Sequence, residues 1–173
     1  MYRISLATLA FALLLGFSQG ASAQSKAPEG LWVAGGFNFM ARRGGAVPGM
    51  RAEVGFRVAP KVPLDLVIPV TVGGRWGGTY LTIAPGVQYE YRFEELPKGV
   101  LSIVGEGGLG VGFVFGGGTN AAAVLRVLAG ARYYFEKVDG LFVHLTPLGF
   151  TAFMRRNGFA AYDFTMGAGF RFK

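Results

Sequence analysis

His144 is the only histidine of the chain, and Thr146 follows it by two positions. Residues two apart in a β-strand lie on the same face, so these side chains could meet as a base and a hydroxyl nucleophile. Such a pair needs a third group that orients the base, and no carboxylate accompanies it between Leu141 and Met154. A lone histidine is more often a hydrogen-bonded structural residue. We therefore predict no catalytic residues and no enzymatic activity.

The composition argues against several further kinds of site. The 173 residues contain no cysteine, which excludes disulfides, thiolate metal ligands and cysteine nucleophiles. With a single histidine we also expect no metal and no other cofactor. The glycine-rich runs Gly105–Gly112 and Gly116–Gly118 are not followed by Lys-Ser or Lys-Thr, so we do not interpret them as phosphate-binding loops.

The first residues predict export from the cytoplasm. Arg3 supplies a positive charge, Ile4–Phe17 is almost entirely apolar, and Ala21-Ser22-Ala23 is a small-residue cleavage pattern. The apolar run is shorter than the roughly 20 residues that a membrane-spanning helix requires. We predict a signal peptide over residues 1–23 and one mature domain over residues 24–173. Export makes nucleic acid an improbable partner, despite a net charge of +7.

Period-two alternation recurs throughout the mature chain. From Met50 to Val58, apolar side chains alternate with Arg51, Glu53 and Arg57. Glycine, at 29 residues, and abundant aromatic residues are typical of many strands joined by tight turns. The pattern predicts an all-β fold with eight strands at Leu31–Ala41, Met50–Val58, Leu64–Val72, Thr79–Phe93, Val100–Phe115, Ala122–Glu136, Leu141–Met154 and Tyr162–Phe172.

The connections between these strands are all of hairpin length, so neighbouring strands should be antiparallel in an up-and-down meander. The strand Leu141–Met154 is apolar in both phases. A bulge near Pro147–Gly149 would exchange its faces and turn Phe150 and Met154 outward. The predicted connections are Arg42–Gly49, Ala59–Pro63, Gly73–Gly78, Glu94–Gly99, Gly116–Asn120, Lys137–Gly140 and Arg155–Phe159.

Charged residues lie on one face of the predicted strands only. That face holds six acids and six bases, and no predicted strand contains a lysine. An enclosed space requires such a balance, because a charge removed from water needs a partner, whereas a solvated surface does not. We therefore predict a charged lumen and an apolar exterior. The lumen residues are Arg51, Glu53, Arg57, Asp65, Glu90, Arg92, Glu106, Arg126, Arg132, Glu136, Asp163 and Arg171.

Aromatic residues of the apolar face gather near the strand ends. Two aromatic girdles around an aliphatic band are typical of an outer-membrane barrel, because aromatic rings favour the lipid headgroup region. One predicted girdle comprises Tyr89, Tyr91, Phe93, Tyr133, Phe135, Phe170 and Phe172. The other comprises Phe37, Phe39, Phe113, Phe115, Phe153 and Tyr162.

The signal peptide, the eight-strand meander and the final alternating run resemble the small outer-membrane barrels of the OmpA, OmpX and opacity-protein group. The resemblance implies a transmembrane barrel in the outer membrane of a Gram-negative cell. In that group the barrel-assembly machinery recognises a last strand that ends in an aromatic residue. The matching residues here are Tyr162, Phe164, Met166, Phe170 and Phe172, although Lys173 follows the final phenylalanine.

Excess positive charge falls in the connections that face outward if both termini lie in the periplasm. No acid occurs in these connections, so their arginines could bind the phosphates of lipopolysaccharide. We predict a monomeric structural or surface-interaction protein with a plugged lumen and a basic external rim. The candidate lipopolysaccharide-binding residues are Arg42, Arg43, Arg75, Arg155 and Arg156.

Two alternatives to this function follow from the same residues. Some eight-stranded barrels modify lipid A, and such an enzyme would use His144 and Thr146. A soluble, secreted, lipocalin-like carrier would have the opposite polarity, with its apolar face turned inward and its charges in water.

Overall fold

The computed structural model describes residues 30–42, 45–59, 62–75, 78–92, 96, 98–116, 119–155 and 158–172. The predicted signal peptide lies outside these residues. The described part contains no helix that is long and apolar enough to cross a membrane. Its strands are β1 (Leu31–Arg42), β2 (Gly45–Ala59), β3 (Val62–Arg75), β4 (Gly78–Ile83), β5 (Gly86–Arg92), β6 (Gly99–Phe115), β7 (Thr119–Phe135), β8 (Leu141–Met154) and β9 (Phe159–Arg171).

The strands form one closed antiparallel barrel. Strands that follow one another in the chain are paired, except β4 with β5. The first and last strands, β1 and β9, also pair, from Trp32 opposite Arg171 to Ala41 opposite Tyr162. Segments β4 and β5 both lie between β3 and β6, so they are two halves of one strand. The barrel therefore has eight strands, which confirms the predicted fold class.

The faces of the barrel have the polarity of a membrane protein. In β2, Arg51 and Glu53 are buried in the interior, whereas Met50 on the opposite face is 67% exposed. The described strands carry no charged side chain on their outward-facing positions. In a closed ladder the backbone N–H and C=O groups bond to each other, which is necessary because lipid offers them no partners. This polarity is opposite to that of a lipocalin-like carrier, so the soluble alternative is wrong.

The two ends of the barrel differ in their connections. We call the end with the β1–β2, β3–β4, β6–β7 and β8–β9 hairpins the outer end, and the end at which β1 begins and β9 ends the inner end. Strands extend further toward the outer end than the sequence predicts. Arg42 and Arg75 close β1 and β3, and β2 begins at Gly45 instead of Met50. The segment before Met50 resembles a loop in composition, but the antiparallel partner continues the ladder, with Phe39 opposite Pro48.

Glu136 lies outside the lumen, contrary to the prediction. Strand β7 ends at Phe135, and the exposed Glu136 begins the turn to β8. The alternation continues in sequence beyond the point where the ladder ends. The lumen therefore holds six arginines and five carboxylates, which are Glu53, Asp65, Glu90, Glu106 and Asp163.

A bulge in β8 exchanges the faces of the strand, as predicted. The register shifts between Thr146 and Phe150, and Phe150 is 43% exposed. The exchange makes the predicted rim position of Phe153 wrong, because this side chain is 2% exposed and lies inside the barrel. The Tyr162 hydroxyl donates a hydrogen bond to the Pro147 carbonyl at the bulge.

A second interruption separates β4 from β5 at Ala84 and Pro85. Proline has no N–H group, so it leaves no unpaired donor in the bilayer. The backbone N–H of Leu109 donates to the Pro85 carbonyl at 3.0 Å, and that of Ala84 donates to Pro69 at 3.3 Å. Proline and a substitute hydrogen bond thus occur at both breaks.

Two apolar clusters fill the lumen above and below its charged centre. Glycine makes room for the largest rings, because a Cβ on Gly55 would stand 2.3 Å from Cε2 of Trp32. The outer cluster comprises Met40, Tyr80, Ala84, Val114, Ala122, Val124, Phe153 and Ala161, with Val47 and Phe159 packed against it. The inner cluster comprises Trp32, Ala34, Val67, Tyr134 and Phe142, with Val100 packed against it.

Candidate functional site

Asp65 is an acceptor shared by several side chains at the inner end of the lumen. The hairpin between β2 and β3 sets Arg57 opposite Asp65, and the Arg57 Nε lies 2.6 Å from Asp65 Oδ1. Arg171 Nη2 donates to Asp65 Oδ2 at 2.6 Å, and Trp32 Nε1 donates to the same oxygen at 3.0 Å. The carboxylate is fully buried and joins β3, on which it lies, to β1, β2 and β9.

Glu90 is the second acceptor of the inner end. Arg171 and the Tyr134 hydroxyl each donate to Glu90 Oε2 at 3.2 Å. Three further arginines lie within ion-pair distance, at 3.6 to 3.8 Å; they are Arg57, Arg92 and Arg132. A buried carboxylate with this many cationic partners is strongly attached to the opposing wall of the barrel.

Aromatic rings hold the guanidinium groups in place. The Cζ of Arg132 lies 4.0 Å from the ring centre of Trp32 and 4.6 Å from that of Phe142. Arg92 lies 4.7 Å from the ring centre of Tyr134. These distances are typical of cation–π contacts, which gain strength in a desolvated space.

Arg51 lies at the centre of the lumen between two carboxylates. Its Nε donates to Glu53 Oε2 at 2.7 Å, and its Nη2 donates to Glu106 at 2.6 and 2.8 Å. Beside it is a cavity of about 10 Å³, which is room for the centre of one water molecule. The cavity is lined by Arg51, Glu53, Gln88, Val104, Glu106, Leu128, Arg132, His144, Thr146 and Thr165.

Asp163 organises the upper part of the charged lumen. Thr151 donates to its Oδ2 at 2.7 Å, and Arg126 Nη2 lies 3.2 Å from the same oxygen. Asn38 Nδ2 donates to Asp163 Oδ1 and in turn accepts at its own Oδ1 from the Tyr80 hydroxyl at 3.0 Å. Tyr80 joins this polar group to the outer cluster.

His144 and Thr146 share a face but make separate contacts. The Thr146 hydroxyl donates to the Thr165 carbonyl at 3.2 Å. His144 Nδ1 lies 3.8 Å from Glu53 Oε1, beyond hydrogen-bond distance. Both side chains are buried beside the central cavity. The described residues include no group of three or more acidic or histidine side chains that could hold a metal ion.

The predicted rim arginines are only partly described. Arg43 and Arg156 lie outside the described residues, and for Arg75 only the backbone, at the end of β3, is described. Arg42 and Arg155 are exposed at the outer end. The Cζ of Arg42 lies 4.7 Å from the ring centre of Phe159, across the junction of β1 and β9.

The residues predicted to act as an assembly signal all face outward along β9 and the chain end. Phe164 is partly buried, with its ring centre 6.2 Å from that of Phe39 on β1. The other members are exposed to the membrane side; they are Tyr162, Met166, Phe170 and Phe172.

Several lumen residues were missed because they carry no charge. Asn38, Gln88 and Tyr134 donate or accept hydrogen bonds with the predicted charged residues. Trp32 does the same with Asp65. The alternation along each strand could have revealed them, because Trp32 and Asn38 both lie at even-numbered positions of β1, which face the lumen.

No known family profile and no curated protein matches the sequence. Solved structures do match. Neisserial surface protein A (NspA) is 12% identical, with 86% of this chain and 100% of that chain covered and a TM-score of 0.57. The N-terminal β-barrel domain of Pseudomonas aeruginosa OprF is 14% identical, with 83% and 98% covered and a TM-score of 0.58.

A further similar structure is Ail, the attachment invasion locus protein of Yersinia pestis, at 12% identity, with 84% and 100% covered and a TM-score of 0.48. At these identities NspA and OprF show a common fold, in agreement with the predicted resemblance. Closed barrels with an apolar exterior and a charged interior span outer membranes. The chain therefore has the fold of the small eight-stranded outer-membrane β-barrels and lies in the outer membrane.

Proposed function

We propose that this protein is a monomeric structural or surface-interaction barrel whose outer rim binds the phosphates of lipopolysaccharide. One observation carries the proposal: the lumen arginines are paired with carboxylates, whereas the two rim arginines that the structure describes are not. Each of the six lumen arginines lies within 4.0 Å of a carboxylate. Among the described residues, Arg42 and Arg155 form no ion pair with a carboxylate. Guanidinium groups without a carboxylate partner are suited to external phosphates, which they bind through two hydrogen bonds.

The proposal includes a lumen that is plugged rather than conducting. Support comes from the outer cluster, which occupies the lumen below the outer hairpins, and from the ion pairs at the centre and the inner end. Eight strands enclose a space that side chains can fill.

The proposal assigns no catalytic step to the chain. Lipid A lies in the outer leaflet, around the outer half of the barrel. His144 and Thr146 instead face the enclosed lumen, and the Thr146 hydroxyl is bonded to the Thr165 carbonyl. Insertion by the barrel-assembly machinery, guided by the outward side chains of β9, is also part of the proposal.

The test replaces the five rim arginines Arg42, Arg43, Arg75, Arg155 and Arg156 with glutamine. We expect the variant to fold, as shown by faster migration of the unheated protein on a gel. Binding of intact lipopolysaccharide to the detergent-solubilised protein should fall by on the order of tenfold or more at low salt, because several weak phosphate contacts are lost together.

A matched control removes the same number of positive charges from segments outside the predicted rim. It replaces the five lysines that the sequence predicts in periplasmic segments, and it should bind lipopolysaccharide as the wild type does. Unchanged binding by the five-arginine variant at low salt would contradict the proposal. The control positions are Lys26, Lys61, Lys98, Lys137 and Lys173.

A further inference from the structure

Arg42 is the last residue of β1 and continues the inward-facing series of this strand, and Arg155 directly follows the end of β8. Arg42 follows Asn38 and Met40 at a spacing of two, and both of these side chains are buried in the lumen. Arg155 follows Phe153 at the same spacing. The lipid-facing positions of β1, and those of β8 beyond its bulge, belong to the other parity. The exposed Arg42 therefore stands over the mouth of the barrel and not beside its lipid-facing wall, and Arg155 begins the β8–β9 hairpin at the same end.

The ring of Phe159 supports the Arg42 guanidinium at this mouth. The ring centre of Phe159 lies 4.6 Å from that of Phe153, in a stacked arrangement, so Phe159 covers the outer cluster. Arg42 lies over this ring at 4.7 Å, which brings it to the hairpin that carries Arg155. A cation–π contact orients the guanidinium without using its hydrogen-bond donors.

The lumen carboxylates do not compete for these two arginines. Asp163 is on the same strand as Phe159, but it is buried below the outer cluster and bonded to Thr151 and Arg126. The outer connections contain no acidic residue in the sequence. An anion that approaches along the barrel axis thus meets two cations above an apolar surface, where water screens their charge less than in bulk.

We propose that Arg42 and Arg155, with Phe159 beneath them, form a phosphate subsite on the barrel mouth that binds the phosphorylated saccharide of lipopolysaccharide. This inference rests on the proposed function and names the part of the ligand that is bound. The saccharide stands above the membrane plane and can reach across the mouth. The phosphates of lipid A lie beside the barrel wall, on the side from which Arg42 is turned away.

The test uses the full mature protein in detergent and the delipidated, phosphorylated saccharide of lipopolysaccharide as the probe. The wild type should bind this probe and should not bind the same saccharide after enzymatic dephosphorylation. Arg42→Gln with Arg155→Gln should raise the Kd on the order of tenfold at low salt, through loss of two charge-assisted contacts. The matched control, Lys98→Gln with Lys137→Gln, removes two exposed charges at the inner end and should leave the Kd unchanged.

A third variant tests whether the contact between the Arg42 guanidinium and the Phe159 ring contributes to binding, or whether positive charge at the mouth is sufficient. Phe159→Leu keeps an apolar side chain over the outer cluster but removes the ring under Arg42, so the Kd should rise by a smaller factor of about two to five. Gel migration of the unheated protein checks that each variant folds.

The outcomes distinguish this inference from the proposed function. Saccharide binding that is equal in the wild type and the Arg42, Arg155 variant overturns the inference, as does binding to lipid A alone with none to the saccharide. In either case the proposed function stands if the five-arginine variant loses intact lipopolysaccharide. If that variant keeps intact lipopolysaccharide, the proposed function itself fails.

Discussion

Asp65 is the shared acceptor of three side chains, whereas Arg57 has a second carboxylate, Glu90, within ion-pair distance, and this asymmetry determines what the removal of each residue does. Arg57, Arg171 and Trp32 all donate to or pair with its carboxylate. Loss of Arg57 leaves Asp65 with two partners, whereas loss of Asp65 leaves three buried donors with fewer acceptors. A buried charge that loses its partner is costly, because water cannot replace the lost interaction.

We expect Asp65→Asn to lower the free energy of unfolding by about 3 to 5 kcal/mol, and Arg57→Gln to lower it by less. A double-mutant cycle should give a coupling energy of about 0.5 to 3 kcal/mol. The measurement is urea unfolding of the protein in lipid vesicles. Equal losses of unfolding free energy in the two single variants would contradict the asymmetry. A coupling energy of zero would show that Arg57 and Asp65 do not stabilise each other.

The sequence predicts one of these contacts and not the others. Arg57 and Asp65 lie symmetrically about the short turn between β2 and β3, so hairpin geometry alone places them opposite each other. Arg171 is 106 positions from Asp65. Their contact depends on closure of the barrel and on the stagger of its strands, and alternation within one strand determines neither.

Among the elements, β8 shows best how a membrane barrel tolerates an interrupted ladder. The register shifts at the bulge of β8 between Thr146 and Phe150, and the Tyr162 hydroxyl of β9 donates a hydrogen bond to the Pro147 carbonyl there. An unsatisfied carbonyl in hydrocarbon costs several kcal/mol, so this hydroxyl stabilises the bulge.

We expect Tyr162→Phe to lower the free energy of unfolding by about 1 to 3 kcal/mol, because the ring remains while the hydrogen bond is lost. Tyr133→Phe is the matched control. This tyrosine also lies on a strand near the membrane boundary, and its change should cost less than about 0.5 kcal/mol. Vesicle unfolding measures both, and equal effects would show that the hydroxyl of Tyr162 has no special role.

The sequence predicts the bulge but not all of its consequences. The strand Leu141–Met154 is apolar in both phases, and the proline and glycine at Pro147–Gly149 indicate a bulge that exchanges its faces. Phe153 was nevertheless predicted on the rim, because an aromatic residue near a strand end resembles a girdle residue. The ends of β1, β2 and β3 also extend beyond their predicted limits, since glycine and proline weaken the alternation where only the partner strand maintains the ladder.

For the molecule as a whole, the arrangement of the lumen favours a barrel that does not conduct ions. An apolar layer lies near the outer end, and ion pairs cross the centre and the inner end. We expect no stable, large conductance from the wild type in planar bilayers, because a permeating ion would have to separate paired charges and enter an apolar layer. Detergent without protein is the control. Steady large openings would show that the lumen is a channel.

The brevity of the outer hairpins has a consequence for how the cell surface exposes this protein. Only two residues separate β1 from β2 and β3 from β4, three separate β6 from β7, and four separate β8 from β9. Such connections offer an antibody almost no epitope and a protease almost no extended segment to cleave. In intact cells the polypeptide would be masked by the sugars around it, and immune selection would have little protein surface on which to act.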